Sequence, residues 1–273
     1  MDELVFDVVG YWTELKIEIL QKYAAAYSTI LTKNKFWHAY IDAFCGRGVH
    51  ISRTTYEFIE GSPLSALAVE PPFDHFFFID IEGKVVEQLR QIVGGRDDVS
   101  VFHEDANGVL VDSIFPQIRF DLRRRALCFL DPRGMHWNWE VLEAAGQAGT
   151  IDLFVNFPVM AMNRRALWRD PDRVSENSIQ RMNRFWGDDS WRKIVYRKRR
   201  TLFGDEDVKE PNEVVVEAFR DRLRKVAGFR YVSEALPMRN DQGGVIYYLI
   251  LAAPVEVATT IMNDIFRKYR ERS

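Results

Sequence analysis

Between Thr13 and Leu31 the apolar residues Leu15, Ile19, Tyr23, Ala26 and Ile30 recur at three-to-four residue spacing, with Lys16, Glu18, Gln21 and Lys22 between them. That period predicts an amphipathic helix ahead of any strand. The first strand is expected over Phe36–Phe44, an aromatic, β-favouring run that enters the turn residues Gly46 and Gly48. In the following EGSPLSALAVE, Ser62 suits a helix cap and Pro63 its first position. Further strands are expected at His75–Ile81, Val99–His103, Ala126–Leu130 and Ile151–Phe157. Helical patterns around Lys84–Val93, Val109–Ile114 and Trp139–Ala145 fall between them. Strands alternating with helices at this spacing predict an α/β, Rossmann-like, doubly wound sheet that is mostly parallel and seven-stranded.

Asn163–Arg200 interrupts that rhythm, and residues 163–210 are read as a basic, aromatic helical insertion. A helix over Glu213–Val226 then leads to strands at Tyr231–Met238 and Val245–Ala253, joined by the turn sequence RNDQGG into an antiparallel hairpin. A helix over Val255–Tyr269 closes the chain. One domain spanning 1–273 is expected, with 1–33 as an N-terminal helical region.

The 273 residues are 47% hydrophobic, enough for one sizeable core with elaborations. A net charge of −3 and a pI near 6.0 exclude a chain-wide basic footprint, so any nucleic-acid surface has to be local. The local candidate is Asn163–Arg200, with 12 Lys or Arg against 5 Asp or Glu and with Trp168, Phe185, Trp186, Trp191 and Tyr196 interleaved. Two readings stay open. It is a lid or arm that contacts phosphates through residues such as Arg164 and Arg165 and bases through Trp168, or a solvated insertion whose aromatics pack on the core. Cys45 and Cys128 stand far apart in apolar or glycine-rich surroundings, so a reducing, cytosolic setting is expected, with neither disulfide nor metal cluster. The five histidines show no metal-ligand spacing. No apolar run is long enough to cross a bilayer, and the first residues lack the basic start and apolar stretch of a secretion signal, so no membrane association is expected.

The candidate chemistry sits where strands end. Asp42-Ala-Phe44-Cys-Gly46-Arg-Gly48 closes the first strand, and its glycines let backbone approach a ligand. Asp80 closes the second in FFFIDIE, where a carboxylate can accept both hydroxyls of a ribose. Glu82 competes for that role, one alternation further on. Asp105 follows the third strand in HEDANG, and Asp131-Pro132-Arg133-Gly134 follows the fourth. Each aspartate alone is open to reading as a helix cap. Four successive strand ends carrying a carboxylate point instead to a polar ligand, because burying an unpaired charge is costly.

In that order, together with Gly61-Ser62-Pro63-Leu64 and Asn156-Phe157-Pro158, these motifs resemble the three-Cys-motif partner proteins, a bacterial and phage family with a class I methyltransferase-like core. The resemblance spans roughly residues 10 to 165. It implies S-adenosylmethionine as cofactor, with Asp42, Phe44, Gly46 and Gly48 at its methionine end, Asp80 and Ile81 at the ribose, and Asp105 and Ala106 at the adenine. It implies Asp131, Pro132 and Arg133 at the transfer site and Ser62 beside the substrate. The Asp-Pro motif is also similar to that of amino-methyltransferases acting on adenine and related bases. The family commonly has Tyr where this chain has Arg133, and Trp137 and Trp139 stand close downstream. Three functions follow as expectations. The first is a methyltransferase acting on nucleic acid. The second is an inactive, methyltransferase-like nucleic-acid-binding or regulatory partner of a three-cysteine-motif protein. The third is a small-molecule methyltransferase.

Overall fold

The computed structural model describes residues 7–201 and 204–272. Residues 1–6 of the expected N-terminal region and 202–203 of the expected insertion lie outside the described residues. The chain opens with β1 (Asp7–Val9), α1 (Tyr11–Lys33) and β2 (Trp37–Asp42), followed by β3 (Val49–Ser52), β4 (Phe58–Glu60) and α2 (Ser62–Leu67). It continues through β5 (His75–Asp80), α3 (Gly83–Val93), β6 (Val99–His103) and α4 (Ala106–Val109), which runs into a π-helical turn at Leu110–Ile114. Next come β7 (Arg124–Leu130), α5 (Trp139–Ala148), β8 (Ile151–Phe157), α6 (Val159–Arg165), α7 (Glu176–Trp186) and α8 (Trp191–Val195). The remainder is β9 (Tyr196–Thr201), β10 (Gly204–Lys209), α9 (Asn212–Lys225), β11 (Tyr231–Val232), β12 (Leu236–Arg239), β13 (Val245–Ala253) and α10 (Glu256–Tyr269).

The central sheet runs β6-β5-β2-β7-β8-β13, with β11 and β12 both on the outer side of β13. β6, β5, β2, β7 and β8 are parallel; β13 is antiparallel to β8, and β11 and β12 are antiparallel to β13. Five parallel strands followed by a reversed one is the class I methyltransferase arrangement of the Rossmann-like fold. Strand order turns back between β2 and β7, and a crevice opens there beyond the carboxyl ends of the strands. β7 and β8 are covered on both faces, which is why RRALCFL and IDLFVNF read as near-continuous apolar runs. Tyr40, Leu127, Phe129 and Phe154 pack toward α1, α3 and α10; Ile41, Cys128, Leu130 and Leu153 pack toward α5, α7 and α9.

The elements depart from expectation in three places. β1 and the β3–β4 hairpin make a separate three-stranded sheet of three- and four-residue strands, too short to carry a period-2 signal. The expected strand Tyr231–Met238 is broken at Ser233, whose hydroxyl accepts from Leu251 N at 2.9 Å, so the sheet has eight strands rather than seven. The insertion is not all helical: β9 and β10 form a hairpin in which YRKRRT lies against GDEDVK. Lys198 meets Asp207 at 2.9 Å, Arg197 meets Glu210 at 3.0 Å, and Arg199 pairs with Glu206.

The aromatics of the insertion resolve the open choice for most of their number. Phe185, Trp186 and Trp191 are buried, and the Phe185 ring stacks on Trp137 at 4.5 Å. Their role is to fix α7 and α8 onto α9 and β8, and only Trp168, 39% exposed, presents a large apolar face to solvent from this group. Trp137 and Trp139 are core residues as well.

Candidate functional site

The crevice is a cleft of about 800 Å³ whose floor is made by the ends of β2, β5, β6 and β7. Asp80, the last residue of β5, accepts from Gly46 N at 3.1 Å and from Glu82 N at 2.9 Å, which fixes its carboxylate between the first and second strand ends. Glu82 also lines the cleft. Gly46 has φ +62°, a conformation that favours glycine, and a Cβ placed there would meet nothing within 4 Å. Open space lies directly over that backbone. Ile81, 69% exposed, turns an apolar side chain outward beside the Asp80 carboxylate. A carboxylate flanked by bare backbone and an apolar platform suits a ribose with a flat base attached.

Asp105 caps α4, accepting from Asn107 N at 3.0 Å and from Asn107 Nδ2 at 2.8 Å. Asn107 also donates to His136 O at 3.0 Å and accepts from Asn138 N at 2.6 Å, so one amide stitches the loop after β6 to the loop after β7. Asp42 is fully buried beneath the cleft. Burial pushes its carboxyl up to about 7, aided by the charge of Asp131 and opposed by hydrogen bonds from Ser62 and Tyr40.

The centre of the cleft is Asp131 at the end of β7. Lys16 Nζ donates to its Oδ2, and Asn156 Nδ2 donates to its Oδ1. Lys16 is 6% exposed and lies over the Tyr247 ring at 5.3 Å; the Tyr247 hydroxyl donates to Trp12 O at 3.0 Å. Burial, reinforced by Asp131, raises the Tyr247 phenol well above its ordinary range. Each oxygen of Asp131 keeps lone-pair capacity beyond its one partner. Because a carboxylate only accepts, Asn156 must turn its Nδ2 to Asp131. Its Oδ1 is enclosed and has no hydrogen-bond partner among the described residues.

The wall facing Asp131 is the small sheet. The register sets Asp7 opposite His50, and both line the cleft. Arg133, 79% exposed in its side chain, reaches across to Asp7 Oδ2 at 2.6 Å and ties β1 to the loop after β7. Burial lowers the His50 imidazole, with Asp7 and Lys16 acting in opposite senses. On the far rim Arg181 of α7 donates to Trp137 O at 3.0 Å, to Asn138 Oδ1 at 3.2 Å and to Met135 O. Three hydrogen bonds from one guanidinium join the insertion to the cleft.

Of the residues singled out from sequence, Phe44, Gly46, Ser62, Asp80, Ile81, Asp105, Ala106, Asp131, Pro132 and Arg133 line this one cleft. Asp42 sits below it, and Gly48 turns the chain behind its wall at φ +77°. Arg164, Arg165 and Trp168 are not in the lining; they are exposed on and just after α6. Arg165 is still close enough to lower the His136 imidazole, after burial and Arg181. Lys16, His50, Asn107, Asn156 and Arg181 complete the site and were not foreseen. Asn107 and Asn156 stand in the HEDANG and Asn-Phe-Pro motifs, and Lys16 is visible in sequence only as a polar residue on a helix face. Over residues 163–210 the charge is 13 Lys or Arg against 9 Asp or Glu. Arg164, Arg165, Arg169, Arg173 and Arg184 have no ion pair among the described residues.

No protein-family model matches the chain, and a search of curated proteins finds no match. Among solved structures, the chain is similar to protein LPL1258 of Legionella pneumophila, family DUF519, at 13% identity and a TM-score of 0.58, covering 95% of this chain and 92% of that one. An S-adenosylmethionine-dependent methyltransferase from Mesorhizobium loti matches at 13% identity and a TM-score of 0.39, over 78% of this chain and 90% of that one. The first of these likenesses bears on the fold, which the strand order already defines as methyltransferase-like.

Proposed function

We propose that the chain is an S-adenosylmethionine-dependent methyltransferase acting on an amino group, with nucleic acid as the substrate class. The observation that carries this reading is Asp131 with Lys16 and Asn156 at the centre of a cleft whose other strand ends suit a nucleoside. Asp80 would hold the ribose, Gly46 and Phe44 the methionine portion, and Asp105 with Ala106 the adenine. S-adenosylmethionine, when bound, supplies the electrophilic methyl group. This chain's residues do the positioning, which accounts for most of the rate in an in-line displacement. Asp131 accepts a hydrogen bond from the substrate amino group and so turns its lone pair toward the methyl. Lys16 holds the Asp131 carboxylate in place by donating to its Oδ2. The unpaired arginines around Arg165 and Arg184 favour a polyanion at the rim.

The test is calorimetric titration with S-adenosylmethionine and S-adenosylhomocysteine, followed by transfer of labelled methyl to DNA and RNA. Asp80→Ala is expected to weaken cofactor binding at least tenfold, and Asp131→Ala to keep binding while losing transfer. Wild-type protein that is folded and binds neither compound ends this reading.

A second reading rests on Arg133. It occupies the place of the family's aromatic and is tied to Asp7, so nothing there stacks on a base. In that reading the chain is an inactive partner of a three-cysteine-motif protein. Salt-dependent polynucleotide binding in the absence of any cofactor binding distinguishes it.

A further inference from the structure

Between α6, α7 and the loop after β7, the rim of the cleft gathers positive groups that have no ion pair among the described residues. Arg184 of α7 lines the cleft and is exposed. Arg181 stands three residues earlier on that helix, on the same face, and also lines the cleft. Its guanidinium is fixed by Met135 O, Trp137 O and Asn138 Oδ1. Burial and then the Arg184 charge push it below its ordinary range, with Asp105 opposing. Asp105 itself already accepts twice from Asn107. The next group is His136, whose exposed imidazole lines the cleft. The ring lies back over Gly134, where a Cβ would come within 3.2 Å of Nε2, and neither ring nitrogen has a hydrogen-bond partner among the described residues. Partial burial, then Arg181 from α7 and Arg165 from α6, lower the imidazole, while the loop after β6 meets this segment through the neutral Asn107 amide. Arg165 is exposed on α6, one turn beyond the cleft-lining Ala161.

Like charges held close together without carboxylate partners repel one another, and an anion placed among them removes the repulsion. The cofactor of the proposed reading brings no anion here: it carries no phosphate, and its carboxylate would lie by Gly46, away from the adenine end at Asp105. Resting on that reading and deepening it, we infer that Arg184, Arg165 and His136 form a subsite for one phosphodiester of a polynucleotide substrate. The group held there belongs to the strand beside the nucleotide whose amino group meets Asp131, since one loop carries both Asp131 and His136. Protonated His136 donates to the phosphate and neutral His136 adds no charge, so the subsite tightens as pH falls through the imidazole range. A phosphodiester keeps one charge across that range, so the change in affinity reports the protein.

The test is fluorescence anisotropy of the full chain with a labelled single-stranded RNA and the DNA of the same sequence, across salt and pH, with AMP and polyglutamate as competitors. Arg184→Gln is expected to weaken binding about tenfold, the loss of one charge-assisted contact. It should also reduce the slope of log affinity against log salt by about 0.7, one phosphate on a single strand. Wild-type affinity should rise at least about threefold from about pH 7.5 to about pH 5.5, and the rise should be absent in His136→Gln. Both side chains are exposed, so the melting temperature should hold in both variants. Arg199→Gln, whose guanidinium already meets Glu206, should move neither slope nor pH response. An unchanged salt slope in Arg184→Gln, an equal pH response in His136→Gln, or displacement of the probe by AMP or polyglutamate as readily as by unlabelled RNA overturns the subsite. If that happens in protein that still transfers methyl to RNA or DNA, the proposed function stands without it. If the expected slope and pH response appear in protein that binds no cofactor, the subsite stands and the methyltransferase reading fails.

Discussion

Lys16→Met removes an ammonium from a place nearly without water while keeping an unbranched stem of similar length against Tyr247. What disappears is the ion pair with Asp131, whose side chain is 21% exposed. Two unit charges 3 to 4 Å apart at an effective dielectric near 20 attract by about 4 to 5 kcal/mol before desolvation is counted. Truncating one member of a buried pair costs about 3 to 5 kcal/mol, most of it the stranded partner. Because part of Asp131 meets solvent, the lower end applies, about 3 kcal/mol, or a fall in melting temperature of roughly 6 to 12 °C in a chain this long. The assay is urea and thermal unfolding of the wild type, Lys16→Met, Asp131→Asn and the double variant. With no charge stranded, the double variant is expected to be more stable than Lys16→Met alone, with a coupling of about 2 kcal/mol. A Lys16→Met protein as stable as the wild type, or a double variant whose loss is the sum of the singles, would refute the account of the site as a buried charge pair.

Asp42 and Asp152, held up at about 7 and about 6 by burial, bind protons more tightly folded than unfolded. Their contribution to stability is full below the ordinary carboxyl range near 3.8 and is lost as pH rises through 6 and 7. Asp42→Asn should flatten the decline in stability between pH 5 and 8; an unchanged slope in denaturation midpoints counts against a buried carboxyl. Gly146→Ala places a Cβ 1.9 Å from Ala227 O, so the helix and the turn must separate at a cost of at least about 3 kcal/mol, read as a lower urea midpoint. An unaltered midpoint would mean that α5 and the turn before β11 are not in contact. Arg181→Met frees Met135 O, Trp137 O and Asn138 Oδ1, and is expected to cost about 2 kcal/mol and to speed amide exchange over residues 135–138. Exchange at the wild-type rate there would show that the insertion is not what steadies the loop.

The α/β alternation and the four carboxylates at strand ends were legible because both are local. Val99–His103 and Ile151–Phe157 form strands over the bounds their runs suggest. Lys16 was not legible as a site residue, because helical spacing puts it next to the buried face without showing that Asp131, 115 residues on, waits across it. Arg181 was hidden in the same way: in composition it is one of 12 basic residues, and only packing of α7 on Trp137 distinguishes it from Arg164 or Arg165. The β3–β4 hairpin escaped because VHIS and FIE are too short for any period to emerge. The β9–β10 hairpin escaped because a run of four basic residues has no alternation of its own; its face-to-face logic exists only with the acidic strand that follows.

That ladder of opposite charges across β9 and β10 limits how many phosphates the insertion is free to neutralise. A polyanion arriving there has to compete with Asp207, Glu206 and Glu210 for lysine and arginine they already meet. Were a polynucleotide to bind as proposed, the release of ions would belong to Arg164, Arg165, Arg169, Arg173 and Arg184, since Arg181 is held by Met135, Trp137 and Asn138. Five such contacts correspond to a slope of log affinity against log salt of about −4 to −5 on a duplex, against about −8 were the four basic residues of β9 to take part as well. The most basic stretch of the sequence is thus electrostatically quiet.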